Sequence, residues 1–337
     1  MRVIKSVCVA LVACALLALA GATNAADPVK IRYGWIVLPA SWGPLILEKK
    51  DLMPNFGKTY VAETLRFPGS SPMITAIASG DIEFALLNFA SFAAAIENAG
   101  MTDLRIVADE VQDGVKGYDS VSFGVLKDGP IKKVEDLKGR IVGTNARGTA
   151  VDMGARAMLR RVGLEDKRDY NIVEVAFPNM VATLHEKKID LGVIAAPWSQ
   201  NPKTWETLHP LFQLRDSFGV TQLSMWVGRQ GFLEKNRAAV TDFFTDFLRV
   251  ARWYLDEKNH DAAVAAVANG TKLPPETFKG WVYTKKDLYR DPDGKIDAAV
   301  LQKNMDLQQE LGFQKTKIDA SKYVDMSYVE EAAKRLR

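Results

Sequence analysis

Hydrophobic and polar positions along the chain follow two periods, and strand-like and helix-like segments alternate from residue 29 onward. Val29–Gly34 and Tyr60–Phe67 alternate apolar and polar residues as half-buried strands do, and Ile82–Leu87 is a nearly continuous apolar run. Between these strands, Pro44–Lys50 and Ser71–Ala78 have helical patterns that begin at prolines or serines. The repeated strand–helix order predicts an α/β fold with parallel or mixed sheets and helices on both faces.

The same order continues through the middle of the chain and then changes. Further strands are predicted at 104–109, 120–127, 141–143, 172–176 and 191–195, and further helices at 89–98, 150–162 and 179–186. From Phe232 onward the pattern is helical, over 238–257, 262–268, 296–311 and 324–336. We expect these C-terminal helices to wrap an existing sheet rather than to build a new one.

The first 25 residues have the three parts of a secretory signal. Basic residues come first, an apolar run extends from Val7 to Ala20, and small residues lead to a predicted cleavage site after Ala25. Leu11–Cys14 resembles a lipobox, so a lipid anchor on Cys14 is the alternative. Because the apolar run continues beyond that cysteine, we favour a cleaved signal peptide and a periplasmic protein without an anchor.

Composition limits the chemistry that the chain can perform. Cys8 and Cys14 are its only cysteines, so the mature protein would lack thiol nucleophiles and disulfides. His185, His209 and His260 have no metal-ligand spacing, and we predict neither a metal nor a cofactor. The whole chain has 44 basic and 41 acidic residues, a balance that does not indicate a nucleic-acid partner.

Two short segments stand where strands give way to helices. Ligands of open α/β sheets bind beyond the carboxyl ends of the strands, where helix N-termini favour anions. Ser70 and Ser71 precede the first such helix, although plain helix capping is the alternative. Arg147, Gly148 and Thr149 precede a second, and the arginine would suit a carboxylate or sulfonate unless it is an ordinary surface residue.

Aromatic residues stand at other strand ends. Trp35 and Trp42 follow the first strand, Asn88 and Phe89 end a buried strand, and Trp198 follows another. Such rings suit the walls of a largely apolar pocket. The alternative for each ring is ordinary packing in the core.

The stretches Ser71–Phe84, Ile131–Leu164 and Lys188–Trp198 resemble, in their order and spacing, the periplasmic binding proteins of ABC importers for nitrate, sulfonates and taurine. The resemblance covers nearly the whole mature chain. It implies the type II periplasmic binding protein fold, in which two lobes joined by a two-strand hinge close on the ligand. One lobe would comprise residues 26–111 plus 225–337 and the other residues 112–224.

The resemblance further implies that the hinge crossings lie near Gln112–Ser120 and Gly219–Met225, and that the Ser70 and Thr149 helix ends face each other across the cleft. Arg147 departs from the smaller residues expected at its position. Together with the tryptophans, it suggests an aromatic carboxylate such as phthalate, or a sulfonate.

The implied function is capture of a small organic anion by a monomer that delivers it to an ABC permease in the inner membrane. No catalysis is implied, and nucleic acid is not an expected partner. Enzymes of the desulfinase and thiamin-pyrimidine-synthase types also resemble this family, but they rely on cysteine. A binding protein for a neutral heterocycle and one that feeds a sensor are further alternatives.

Overall fold

A computed structural model describes residues 27–337, so the predicted signal peptide and both cysteines lie outside the described residues. Strands in this range form two five-stranded sheets. The strands are β1 (Val29–Trp35), β2 (Tyr60–Arg66), β3 (Phe84–Leu87), β4 (Leu104–Asp113), β5 (Ser122–Leu126), β6 (Ile141–Thr144), β7 (Asn171–Glu174), β8 (Leu191–Ile194), β9 (Leu208–Gln213) and β10 (Thr221–Arg229).

Helices connect these strands and follow them at the C-terminus. They are α1 (Gly43–Leu47), α2 (Ser70–Ser79), α3 (Phe89–Ala99), α4 (Ala150–Arg161), α5 (Met180–His185), α6 (Pro202–Thr207), α7 (Leu214–Phe218), α8 (Gln230–Lys235), α9 (Arg237–Leu255), α10 (His260–Thr271), α11 (Ala298–Glu310) and α12 (Ser327–Arg335). Between residues 27 and 337, no helix combines the length and the apolar character needed to cross a bilayer.

Each sheet is mixed in the same way. The sheet of lobe 1 has the order β2–β1–β3–β10–β4, and β10 is antiparallel to both of its neighbours. The sheet of lobe 2 has the order β7–β6–β8–β5–β9, in which β5 is the strand antiparallel to both neighbours. The predicted α/β class, with two mixed sheets flanked by helices in a two-lobed fold, is therefore confirmed.

The chain crosses between the lobes beside a buried carboxylate. After β4 it passes into lobe 2 and returns in β10, whose first residue, Thr221, pairs with Asp113 at the end of β4. Asp113 accepts hydrogen bonds from Ser120 Oγ at 2.6 Å and from the Val121 N–H at 2.7 Å. Burial raises the pKa of this carboxyl to about 7. Asp113 thus ties the end of β4 to the residues that lead into β5.

The C-terminal helices pack on lobe 1, as the sequence suggests, with α9 against β2 and α12 against β4. Aromatic rings of α9 and the sheet form the centre of this lobe. The ring centroids of Phe84 and Phe243 lie 6.0 Å apart, and those of Tyr33 and Trp226 lie 5.0 Å apart. Burying each such side chain contributes about 1.5–3 kcal/mol. The exact residues at which the chain divides into lobes stay a prediction.

Several elements differ from the sequence prediction. The segments of α6, β9, α7 and β10 were not predicted as elements, because polar residues interrupt their patterns. Pro210 lies within β9, which is tolerated because β9 is an edge strand. Helix α1 ends at Leu47, three residues before the predicted end, and a short 3-10 helix follows at Lys50–Leu52.

Candidate ligand site

A narrow cavity lies between the lobes, beyond the carboxyl ends of β1, β3, β6 and β8. Its water-accessible volume is about 90 Å³, several times the roughly 10–15 Å³ that one buried water needs. Its lining comes from both lobes: Ile36, Val37, Ala40, Ser41, Ser70, Asn88, Val111, Val121, Asn145, Thr149, Ala150, Val151, Phe177, Ala195, Ala196, Leu223, Ser224 and Leu288. Among residues 27–337, every polar side chain of this lining is uncharged.

Three helices begin at this cavity. Helix α2 starts at Ser70, α3 starts directly after Asn88, and α4 starts directly after Thr149. The free N–H groups and dipole of a helix N-terminus favour negative charge. Because the three helices follow strands of both lobes, their N-termini direct partial positive charge into one enclosed space.

Side-chain hydrogen bonds leave donors available at these helix ends. Asn88 Nδ2 donates to Ser70 Oγ at 2.6 Å, while Asn88 Oδ1 accepts from two N–H groups of α3. The Ser70 hydroxyl hydrogen and the second Asn88 amide hydrogen therefore remain for a ligand. The alternative interpretation of Ser70 as a plain helix cap does not hold, since the N-cap is Gly69 and no side chain caps this end in the described chain.

The two lobes touch beside the cavity. Asn145 Nδ2 of lobe 2 donates to the Pro68 carbonyl of lobe 1 at 3.0 Å. Ser71 Oγ of lobe 1 donates to the Arg147 carbonyl at 2.8 Å. These contacts define a closed arrangement, in which the predicted Ser70 and Thr149 helix ends do face the same cavity.

Gly69 lies at the closest approach of the lobes. A Cβ atom at this position would lie 2.8 Å from the Cβ of Ala146 and 2.9 Å from Asn145 Nδ2. The backbone of Gly69 is extended, with φ −171°, so its dihedral angles do not require glycine. Glycine is needed here because the opposite lobe leaves no room for a side chain.

Arg147 turns away from the cavity. Its guanidinium donates to Asp166 Oδ2 at 3.3 Å and to the Ile172 carbonyl at 2.6 Å, and its backbone N–H donates to Glu174 at 2.7 Å. These acceptors hold the side chain on the outside of lobe 2, with Gly148 next to it in a left-handed conformation at φ +75°. This placement does not support the predicted pairing of Arg147 with the ligand.

Substitution of Arg147 by alanine is expected to leave ligand affinity within about 2-fold of the wild type. The exposed ion pair with Asp166 should contribute no more than about 1 kcal/mol to stability. Calorimetric titration of the variant checks this expectation. A loss of affinity above about 10-fold would return Arg147 to the ligand site.

The predicted aromatic residues occupy other places. Trp42 is 2% exposed and stacks on Tyr283 at 5.2 Å in the interior of lobe 1. Trp35 is half-buried beneath Arg66, and Trp198 is half-buried in a 3-10 helix of lobe 2. In the described part of the chain, none of these tryptophans lines the cavity.

Phe89, Ser71 and Gly148 contribute to lobe contact instead of the lining. The Phe89 ring packs against Phe218 of lobe 2 with centroids 4.9 Å apart. A Cβ atom on Gly148 would lie 3.2 Å from Ser71 Oγ, so these two residues meet across the cleft. Of the ten predicted site residues, the structure brings Ser70, Asn88 and Thr149 together in the cavity wall.

Sequence reasoning missed the apolar wall and one polar pair. Phe177 is the aromatic residue in the cavity lining. Because it lies shortly after β7, the expectation that ligands bind beyond the carboxyl ends of strands could have identified it. Ser224 lies in the unpredicted strand β10 and donates to the carboxylate of Glu110, which also accepts the Trp42 N–H at 2.9 Å. Glu110 is 1% exposed, and burial raises the pKa of its carboxyl to about 7.

A buried arginine fixes one edge of the cavity. Arg290 is 4% exposed and pairs with Asp287 at 3.0 Å. Its other terminal nitrogen donates to the carbonyls of Pro39 and Ala40 at 3.1 and 3.3 Å. Because Ala40 and its neighbour Ser41 line the cavity, this arginine holds the loop that forms the wall.

A larger groove, with a volume of about 1010 Å³, is lined mainly by residues of lobe 1. Two charged residues that line it, Arg252 and Arg290, are already paired with Asp293 and Asp287. Apart from Tyr118, its lining comes from residues 252–292 of lobe 1, and no lining residue directly follows a strand, so we assign the ligand site to the smaller cavity. Across residues 27–337, no cluster of His, Cys, Asp or Glu side chains could hold a metal.

Comparison with solved structures places the fold. The alkanesulfonate-binding protein SsuA from Xanthomonas axonopodis pv. citri, bound to MOPS, matches with TM-score 0.69 and 16% identity over 89% of this chain and 99% of its own. The periplasmic nitrate-binding protein NrtA from Synechocystis PCC 6803 matches with TM-score 0.69 and 16% identity over 93% and 90%. The desulfurization enzyme DSZB matches with TM-score 0.63 and 13% identity over 92% and 100%.

Sequence comparison identifies the family. No curated protein sequence matches the chain. The sequence profile of the NMT1-like family matches residues 24–269, which is more than half of the chain. The resemblance to binding proteins of the nitrate and sulfonate type is confirmed by these findings, and the chain belongs to the NMT1-like family.

Proposed function

We propose that this protein is the substrate-binding component of an ABC importer, which captures a small organic anion between its lobes in the periplasm and delivers it to a membrane permease. The observation that carries the proposal is the convergence of three helix N-termini, from both lobes, on one enclosed cavity. Because the ligand would contact both lobes, its binding would favour closure of the lobes. A permease could then recognise the closed, ligand-bound form.

The lining narrows the class of anion. Ser70 and Asn88 offer hydrogen-bond donors without a formal positive charge, which suits the dispersed charge of a sulfonate or carboxylate. The closed cavity is small, and Phe177 is the aromatic ring in its described lining. A short-chain sulfonate or carboxylate therefore fits better than a phthalate-like aromatic acid.

Binding without a chemical step is part of the proposal, although DSZB shares the fold. A ligand recovered after long incubation should give an unchanged NMR spectrum. Release of sulfite from a sulfinate or sulfonate probe would contradict this part and favour an enzyme. We further propose that the protein acts as a monomer, which size-exclusion chromatography with light scattering can check.

The first experiment is a thermal-shift screen of residues 26–337 against alkanesulfonates, short carboxylates, benzoate, phthalate, nitrate and a neutral aminopyrimidine. A ligand at 100 times its dissociation constant adds about 2.7 kcal/mol of stability, which raises the melting temperature measurably. Hits among the sulfonates or carboxylates would support the proposal. Response to the aminopyrimidine alone would overturn the anion class and favour a neutral heterocycle.

Substitution of Ser70 by alanine tests the site itself. It removes the hydroxyl donor at the start of α2 and is expected to weaken binding of the screened anion about 10-fold or more, because hydrogen bonds to charged groups are strong. Ser79→Ala at the far, exposed end of the same helix is the matched control. Equal affinities of the two variants, measured by calorimetry, would remove Ser70 from the site.

A further inference from the structure

Ser224 offers a ligand a different group from Ser70 and Asn88, the hydrogen-bond donors described above. It is 8% exposed, lines the cavity and donates its hydrogen to the carboxylate of Glu110. A serine hydroxyl has one hydrogen and two acceptor lone pairs. Once the hydrogen is committed to a carboxylate, only acceptor capacity remains for a ligand.

The orientation of this pair is fixed by a third group. The backbone N–H of Trp42 donates to Glu110 Oε1 at 2.9 Å, which leaves Oε2 to accept from Ser224. Glu110 is 1% exposed and Trp42 is 2% exposed, so water cannot readily replace either bond. The hydroxyl of Ser224 therefore points into the protein, and its lone pairs face the cavity.

This acceptor lies close to the donors described above. Ser224 comes one residue before Met225, which pairs with Leu87, and Asn88 comes one residue after Leu87. The antiparallel pair β3–β10 thus brings Ser224 and Asn88 to neighbouring positions at the cavity. Neighbouring strands lie about 4.8 Å apart, so donor and acceptor groups stand within the length of a small molecule.

We infer that Ser224, oriented by Glu110, is a specificity-determining subsite that selects anions carrying a hydrogen-bond donor a few atoms from the acidic group. The inference rests on the proposed function and deepens it. An ammonium group is the most favourable occupant, because it is a donor without lone pairs and is attracted by the Glu110 carboxylate. A short aminoalkyl sulfonate or carboxylate has the required groups.

Three sulfonates of similar size test whether the site selects a hydrogen-bond donor, with binding of each measured by calorimetry. The first, 2-aminoethanesulfonate, carries a hydrogen-bond donor two carbons from the sulfonate. The second, 2-methoxyethanesulfonate, carries only an acceptor there. The third, propanesulfonate, carries neither. We expect the amine to bind about 10- to 100-fold more tightly than the other two, by the strength of one charge-assisted hydrogen bond. Equal affinity for all three would overturn this inference and leave the proposed function intact. No binding of any sulfonate or carboxylate would instead overturn the proposed function.

Two variants test the named residues. Ser224→Ala is expected to reduce the preference for the amine to about 3-fold or less while affinity for propanesulfonate is retained. Ser217→Ala is the matched control, because Ser217 is also buried but donates to the Gly154 carbonyl in lobe 2, outside the cavity lining. Loss of the preference in both variants, or in neither, would overturn the role of Ser224.

Glu110→Gln gives the sharper result. The Trp42 N–H requires the amide oxygen, so the glutamine NH₂ would face Ser224 and donate to its oxygen. The Ser224 hydrogen would then turn to the cavity, and 2-methoxyethanesulfonate should become the preferred ligand. A variant that still prefers the amine would show that Glu110 does not orient the hydroxyl.

The preference for the amine over 2-methoxyethanesulfonate should also depend on pH, because a protonated Glu110 donates to Ser224 as glutamine would. The groups that face or influence this carboxyl are Ser224, the Trp42 N–H, Arg290, Asp109 and the hydroxyls of Tyr33 and Tyr283. Burial raises the pKa of Glu110 to about 7, so the preference for the amine should be full above this pH and decline below it. A preference that stays constant from about pH 5.5 to about pH 8.5, a range in which an alkylammonium keeps its proton, would contradict control by Glu110.

Discussion

Replacement of Gly69 by alanine is expected to weaken ligand binding about 5- to 150-fold, because it hinders closure of the lobes. The new Cβ atom would lie 2.8 Å from the Cβ of Ala146 in the closed arrangement. Overpacking of this kind costs about 1–3 kcal/mol, which corresponds to the stated range of affinities. Since opening of the lobes relieves the clash, the melting temperature of the ligand-free protein should change little.

Calorimetry with a ligand from the screen and small-angle scattering test this prediction together. The Gly69→Ala protein should keep a larger radius of gyration than the wild type when both are mixed with ligand. Gly231→Ala is the matched control, because a Cβ atom there meets nothing within 4 Å and its φ is not positive. Wild-type affinity and an unchanged radius in Gly69→Ala would show that ligand binding does not require this lobe contact.

Replacement of Arg290 by leucine is expected to lower the free energy of unfolding by about 3–5 kcal/mol, the typical cost of breaking a buried ion pair. The change would leave Asp287, which is 2% exposed, without its guanidinium partner. It would also leave the carbonyls of Pro39 and Ala40 without a donor at the edge of the cavity. Ligand affinity should therefore fall together with stability.

Urea unfolding measures this loss, and Arg335→Leu provides the comparison. Arg335 also forms ion pairs, with Asp242 and Glu331, but its side chain is 42% exposed. Surface pairs of this kind contribute about 1 kcal/mol or less. Similar losses in the two variants would show that burial of Arg290 does not determine its contribution.

The parts of the site that follow from local rules could be predicted from the sequence. Ser70, Asn88 and Thr149 stand where a strand gives way to a helix, and both the strand end and the helix start are marked within a few residues. Such positions face the cavity because the carboxyl ends of the strands in an α/β sheet open onto a crevice. The alternation of strand-like and helix-like segments also predicted an α/β fold with parallel or mixed sheets, whereas the division into two lobes was implied by the family resemblance.

The parts that depend on distant partners could not be predicted in this way. The direction of Arg147 is decided by Asp166 and Ile172, which approach it only in the folded lobe. Trp42 follows a strand end as Asn88 does, but the ring of Tyr283, far along the chain, holds it in the interior. Glu110 and Ser224 belong to two strands that pair across more than 100 residues, and nothing near either residue marks the contact.

The position of β10 sets the order in which the two lobes can be completed as the chain emerges from synthesis or export. The five strands of the lobe 2 sheet lie between residues 122 and 213 and follow one another without interruption. The lobe 1 sheet, in contrast, needs β10 between β3 and β4, and this strand emerges only after all of lobe 2. Until then β3 and β4 have unpaired edges, which are prone to association with other chains. Lobe 1 contains the first strand to be synthesised, but its sheet is completed last. It is therefore the lobe that depends most on protection from association during biogenesis.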